Sequence, residues 1–171
     1  MKRFMKPVGS AVLAGIVLAL GGLWWTAADV DKPVDFTKNI LTSKPNQYLV
    51  CPAEHCGDEP QMVSPVYQIS RDEALHVWDT MMAGKTQFQR LNGSDKLDRR
   101  QYEERSKLMR FPDRISVQFL ELSPATSGVA IYSRSKYGHS DLGVNEARVV
   151  QLMADFRANL DQYKKDKGAS E

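Results

Sequence analysis

The chain has 171 residues, with 23 Lys+Arg against 21 Asp+Glu, 42% apolar and 26% charged residues. That length suits one domain with an ordinary core, and that composition excludes wholesale disorder. Residues 1–28 hold Lys2, Arg3 and Lys6 and no acid, leaving 20 basic and 21 acidic residues beyond them; the near-neutral remainder argues against a nucleic-acid binder driven by bulk phosphate attraction.

Residues 7–28 carry no charge and are mostly apolar. At about 1.5 Å of rise per residue such a run crosses a hydrocarbon core of about 30 Å. Trp24 and Trp25 stand at its C-terminal end, where amphipathic rings favour the headgroup region. The basic tip of residues 1–6 before it, with Asp29 and Asp31 after it, predicts a single-pass inner-membrane anchor with a cytoplasmic N-terminus and a periplasmic C-terminal domain. A cleaved signal peptide is the rival, since Thr26-Ala27-Ala28 offers small residues. The apolar run is longer than the usual h-region, which favours the uncleaved anchor.

Residues 29–47 are polar, contain Pro33 and Pro45, and read as a linker. One domain is expected over residues 48–166, with a tail at 167–171. Residues 48–70 are rich in loop signals, with an edge strand expected over residues 64–69, where Pro65 is tolerated. Ser70-Arg71-Asp72-Glu73 is a capping box ahead of Ala74, Leu75, Trp78, Met81 and Met82 at helical spacing, and Gly84 ends that helix. Strands are expected over residues 85–91 and 101–111, with a turn at Pro112-Asp113. Ile115, Val117 and Phe119 alternate as a half-buried strand; after a turn at 124–128, Val129, Ile131 and Ser133 share one face of the next. A final helix over about 143–165 carries the stripe Val149, Leu152, Met153, Phe156, Leu160 and Tyr163. The order predicts an α+β fold: an antiparallel sheet of three or four strands with two helices on one face.

Cys51 and Cys56 form C-x4-C. In an exported domain this spacing reads first as a disulfide, contributing about 2 kcal/mol at most because the closed loop is short. A metal site with His55 lacks further ligands at suitable spacing, and no cofactor motif is present. His139, Ser140 and Asp141 evoke a hydrolase or transferase, but triad members converge from separated segments, so helix capping by Ser140 or Asp141 is the expected use. No catalytic residue is assigned. Arg134 and Lys136 share a strand face, Arg105 and Lys107 share another, and Arg148 opens the last helix. Arg105, Arg134, Lys136 and Arg148 are therefore the candidate anion site, favoured by bidentate arginine geometry and a helix N-terminus. Internal pairing of Arg134 and Arg148 with Asp113, Asp141 or Glu103 is the competing expectation.

Three stretches together resemble a known family: Tyr48-Leu49-Val50-Cys51-Pro52 with Cys56-Gly57, then residues 105–113, then Ser133-Arg134-Ser135-Lys136-Tyr137-Gly138-His139-Ser140-Asp141-Leu142-Gly143-Val144-Asn145 with Arg148. They are similar to the bacterial domain of unknown function 1499 over about residues 48–156. The resemblance implies an α+β envelope protein and brings no established activity. The function expected is a non-catalytic binding or envelope-maintenance module. Its partners are the membrane through residues 7–28 and an anionic small molecule, a lipid headgroup or another envelope protein.

Overall fold

The computed structural model describes residues 34–91, 98–106 and 110–169. The predicted anchor and tip lie outside these residues. Among the described residues no helix is long and apolar enough to cross a membrane.

The elements run β1 (Gln47–Cys51), β2 (Met62–Val63), α1 (Arg71–Ala83), β3 (Phe88–Arg90), β4 (Arg99–Arg105), β5 (Pro112–Ser123), β6 (Thr126–Ser135) and α2 (Val144–Gly168). The sheet order is β2-β1-β6-β5-β4-β3. β3 to β6 form the expected antiparallel meander, because their connections are short. β1 adds antiparallel to β6, and β2 lies parallel to β1. The sheet is thus six-stranded and mixed, not a three- or four-stranded antiparallel one.

β1 escapes a period-two reading because it is buried on both faces. Val50 joins the core under the helices, while Leu49 and Cys51 join a second cluster on the opposite face. A strand covered on both sides reads as an unbroken apolar run. Val34 and Phe36 belong to that second cluster, with Ile40 and Leu41 packed against it, so this part of the expected linker belongs to the domain. Gly57 fixes the approach: its N–H donates to Phe36 O at 2.9 Å, and a Cβ there would stand 2.5 Å from the Lys38 carbonyl carbon. Asp58 accepts from the amides of Ile40 and Leu41. Cys51 and Cys56 are joined by a disulfide with their Cα atoms 6.3 Å apart, tying this loop to β1.

Three local boundaries move. The expected edge strand over 64–69 is a single bridge, Tyr67 to Ser127, after the two-residue β2. The strand expected to reach residue 111 ends at Arg105, beyond which Ser106 and Phe111 bond each other. Pro112-Asp113 begins β5 instead of turning, because Asp113 pairs with both Glu104 and Ser135.

Both helices cover one sheet face. Trp78 from α1 and Phe156 from α2 meet Phe119 from β5, with ring centroids 5.6 to 5.8 Å apart and edge-to-face geometry. The capping box forms as expected: Ser70 Oγ accepts from Glu73 N at 3.3 Å, and Glu73 Oε2 accepts from Ser70 N at 3.3 Å. Glu73 also clasps the far end of α2, where Lys167 Nζ donates to its Oε1 at 2.7 Å. The Lys167 ammonium, then the Ser70 hydroxyl, holds the Glu73 carboxyl down at about 2, against an ordinary 4.5. A depressed acid stabilises the fold fully above its unfolded pKa and loses that contribution as pH falls through the folded one. We therefore expect Glu73→Gln to cost about 1 kcal/mol near neutrality and to flatten the decline in stability between pH 4.5 and about 2. Urea unfolding across that window checks it; parallel pH profiles for the two proteins would refute it.

Candidate functional site

The chemistry-bearing residues gather where β4 ends, β5 begins and β6 ends, but on two different faces. On the helix-covered face, Glu104, Asp113 and Ser135 form a cross-strand row, since Glu104 pairs with Asp113 and Asp113 with Ser135. Two carboxylates directly opposite repel. Arg148, three residues beyond Asn145 in the first turns of α2, lies over them. Its Nε donates to Glu104 Oε2 at 2.5 Å and its Nη2 to Asp113 Oδ2 at 2.6 Å. Its Nη1 donates to Ser133 Oγ at 2.9 Å and to Asn145 Oδ1 at 2.6 Å. The Arg148 side chain is 5% exposed, so its charge is matched internally.

Asn145 is fully buried and links this network to the chain around it. Its Nδ2 donates to Asn46 O, to Ser135 Oγ and to Asp141 Oδ2. Asn46 Nδ2 in turn donates to Gly138 O at 2.8 Å. The loop over residues 136–143 is thereby fastened to the start of β1. Asp141 Oδ2 accepts from Asn145 N at 2.7 Å and Oδ1 from Gly143 N at 3.2 Å. The N-cap position itself is Gly143, in the left-handed region at φ 81°. The N-cap is thus neither of the expected Ser140 and Asp141, because the loop turns through the left-handed Gly143; Asp141 instead bonds the helix-start amides from two residues ahead of the cap. Ser140 Oγ accepts from Leu142 N at 3.3 Å, and His139 is exposed. The carboxylate that a His139 mechanism would use is bonded to the helix start.

The opposite face carries a different set. Glu103 pairs with Arg114, Arg114 with Arg134, and Arg134 with Gln47, one row across four strands. One step toward the sheet end, Arg105 pairs with Pro112, whose carbonyl accepts from Lys136 N at 3.2 Å. Strand alternation puts Arg105, Arg114 and Arg134 on this same face, and Lys136 follows directly after the end of β6. Glu103 is the carboxylate among them: Arg105 Nη2 lies 2.7 Å from its Oε1, and Arg114 Nη1 bonds its Oε2. The Arg134 guanidinium sits over the Tyr132 ring at 5.1 Å from its centroid. Burial raises the Tyr132 phenol pKa, keeping that hydroxyl neutral.

Three of the four residues expected in the anion site, Arg105, Arg134 and Lys136, are therefore brought together, and Arg148 is separated from them by the sheet. Lys107 lies outside the described residues. Arg114 was not foreseen. Its position next to Ile115 in a clean alternation marks it as facing away from the helices, but the register that sets it beside Arg134 is not written in either strand alone. Elsewhere, a cavity of about 270 Å³ opens between the end of α1 and β3, lined by Asp79, Met82, Lys85, Phe88, Arg90 and Tyr102, and touches none of these residues. Among the described residues no group of three or more His, Cys, Asp or Glu could hold a metal ion.

Residues 27–156 match the family described as protein of unknown function, DUF1499. The chain belongs to this family. A search of curated proteins finds no match. The DUF1499 segment of the chain includes every residue of both polar clusters, the one under α2 built by Asn145 and Arg148 and the one on the opposite face built by Arg105, Arg114, Arg134 and Lys136.

Proposed function

We propose that this DUF1499 protein is a membrane-anchored, extracytoplasmic module that binds anionic groups without performing chemistry on them. The observation that carries the reading is the cation set on the sheet face away from the helices: Arg105, Arg114 and Arg134 in two adjacent cross-strand rows, with Lys136 just beyond β6 and Glu103 among them. Guanidinium groups suit phosphate and carboxylate oxygens, and rigid strands present them at low entropic cost. The apolar run of residues 7–28 supports the tether. The Cys51–Cys56 bond suits an oxidising compartment. The use of Asp141 at the helix start supports a binding role over a hydrolytic one.

Two measurements test it. A reporter fused to the C-terminus should be active only outside the cytoplasm; activity inside would overturn the exported reading. Calorimetric titration with inorganic pyrophosphate should show binding that weakens by roughly tenfold or more in Arg105→Ser and again in Lys136→Ser. Arg105 is half exposed and its partner Glu103 keeps Arg114, so the fold should tolerate its loss. Unchanged affinity in both variants would remove this face from consideration.

A further inference from the structure

The two helices lie chiefly over β1, β5 and β6. At the β3 edge of the sheet, the last turns of α1 leave a cavity of about 270 Å³. α1 closes there: Gly84 N donates back to Met81 O at 3.3 Å and Lys85 N to Met82 O at 3.0 Å, and β3 begins at Phe88. Phe88 and Arg90 pair with Glu104 and Tyr102, so strand alternation turns all four toward the helix-covered face.

The cavity has an apolar floor and a polar rim. Met82 and Tyr102 are buried, and Phe88 packs against the same core. Ala83, Thr86 and Arg90 are exposed around the mouth, and Asp79 and Lys85 complete the lining. The volume lies just under the range of about 300–1,000 Å³ usual for ligand pockets, so it suits one ring with a short polar arm.

The groups at the rim decide what the arm must be. Asp79 is the carboxylate among the described lining residues, and it is occupied: Arg100 Nε donates to its Oδ1 at 2.9 Å and Nη2 to its Oδ2 at 2.7 Å. Glu104, opposite Phe88, does not line the cavity and bonds Arg148. Lys85, which meets the negative end of the α1 dipole, donates to Asp155 Oδ2 of α2 at 2.5 Å. The lining therefore offers little to an amine. It offers donors instead. Arg90 Nη1 stands 3.6 Å from Asp79 Oδ1, an ion-pair distance longer than a hydrogen bond. Its guanidinium carries five N–H groups, enough to keep its neighbours and bond a ligand oxygen as well. Tyr102 Oη accepts from Trp78 Nε1 at 3.0 Å, while its own O–H meets no acceptor among the described residues. Burial pushes this phenol up to about 12, so the proton stays on it. A buried donor without an acceptor is destabilising, and a ligand oxygen would satisfy it.

We propose that this cavity binds a small apolar monocarboxylate. Its hydrocarbon body lies on Met82, Phe88 and Tyr102, where the thioether adapts to its outline. Its carboxylate accepts from Arg90 and from the Tyr102 hydroxyl. The site is separate from the cations on the opposite face and does not depend on them.

The test uses the full chain in nanodiscs, with isotope-labelled methionine methyls followed by nuclear magnetic resonance and phenylacetate as the probe. The Met82 signal, assigned by its loss in Met82→Leu, should move and saturate with a dissociation constant of about 1 mM or below. Phenylethanol and phenylethylamine, of similar size without the carboxylate, should each bind roughly tenfold more weakly. Arg90→Gln and Tyr102→Phe should each raise the constant about tenfold. Tyr102→Phe also takes the acceptor from Trp78, so Ala83→Leu serves as a further variant. It narrows the mouth from an exposed helix position and should abolish the Met82 shift while the other methionine signals stay in place. A Met82 signal unmoved at about 10 mM phenylacetate, tenfold above the expected constant, overturns the proposal. So does equal affinity for the acid and the amine, or unchanged binding in both Arg90→Gln and Ala83→Leu. Displacement of phenylacetate by pyrophosphate would put the acid on the opposite face and overturn it too.

Discussion

Arg148→Ala should destabilise the domain by about 3–5 kcal/mol, the cost of leaving a buried charge uncompensated. The variant removes the cation that bonds both Glu104 and Asp113, which face each other across β4 and β5 and would be left opposed in the interior. It also takes a donor from Asn145 Oδ1 and from Ser133 Oγ. A loss of this size lowers the melting temperature by on the order of 10–20 °C in a domain this large. Arg148→Lys should recover only part of it, because an ammonium cannot span both carboxylates as the planar fork does. Arg148→Met combined with Glu104→Gln and Asp113→Asn should recover more, since the charges then leave together. Calorimetric unfolding of the three variants checks the order. A melting temperature for Arg148→Ala within about 3 °C of the parent would mean that the network contributes less than about 1 kcal/mol.

Trp78→Ala is expected to cost a similar 3–5 kcal/mol for a different reason, the void left in a close-packed core. Trp78 has no exposed surface and is edge-to-face with both Phe119 and Phe156, so its removal separates α1 from the sheet and from α2 at one point. Its Nε1 also donates to Tyr102 Oη at 3.0 Å, a bond sealed from water. Burial pushes the Tyr102 phenol up to about 12, so it stays a neutral acceptor across the physiological range. Trp78→Phe separates the two effects: it keeps an aromatic ring and loses the donor, at about 1–3 kcal/mol. Urea unfolding of both variants measures the pair, and equal stability for Trp78→Phe and Trp78→Ala would show that the hydrogen bond, not the volume, dominates.

The helices were legible because their signals are local. Ser70 and Glu73 are three residues apart and cap α1, and the apolar stripe from Val149 to Leu160 repeats with the helical period. The meander was legible in Ile115, Val117 and Phe119 and their short connections. β1 and β2 were not, since Leu49, Val50 and Cys51 are buried in succession with no alternation and a two-residue strand has no pattern at all. Residues 34–41 read as linker because their polarity hides Val34 and Phe36, which find their cover only once β1 and β6 lie side by side. The site split for a related reason. Arg134 and Arg148 are both basic and close in sequence, but a strand residue and a helix residue fourteen positions on can meet or be parted by the sheet, and the parity of the strand decides which. Ser133 faces α2, so Arg134 cannot.

The position of β1 sets an order of events during synthesis. It is made early, yet its ladder partner β6 is the last strand to appear, and α2, which supplies Asn145 to hold Asn46, comes later still. A chain delivered N-terminus first must therefore carry Leu49, Val50 and Cys51 unpaired until nearly all of it has emerged. The Cys51–Cys56 ring needs only five further residues, so in an oxidising compartment it can close during that wait. The loop that follows β1 can then be closed before there is a sheet for the strand to join.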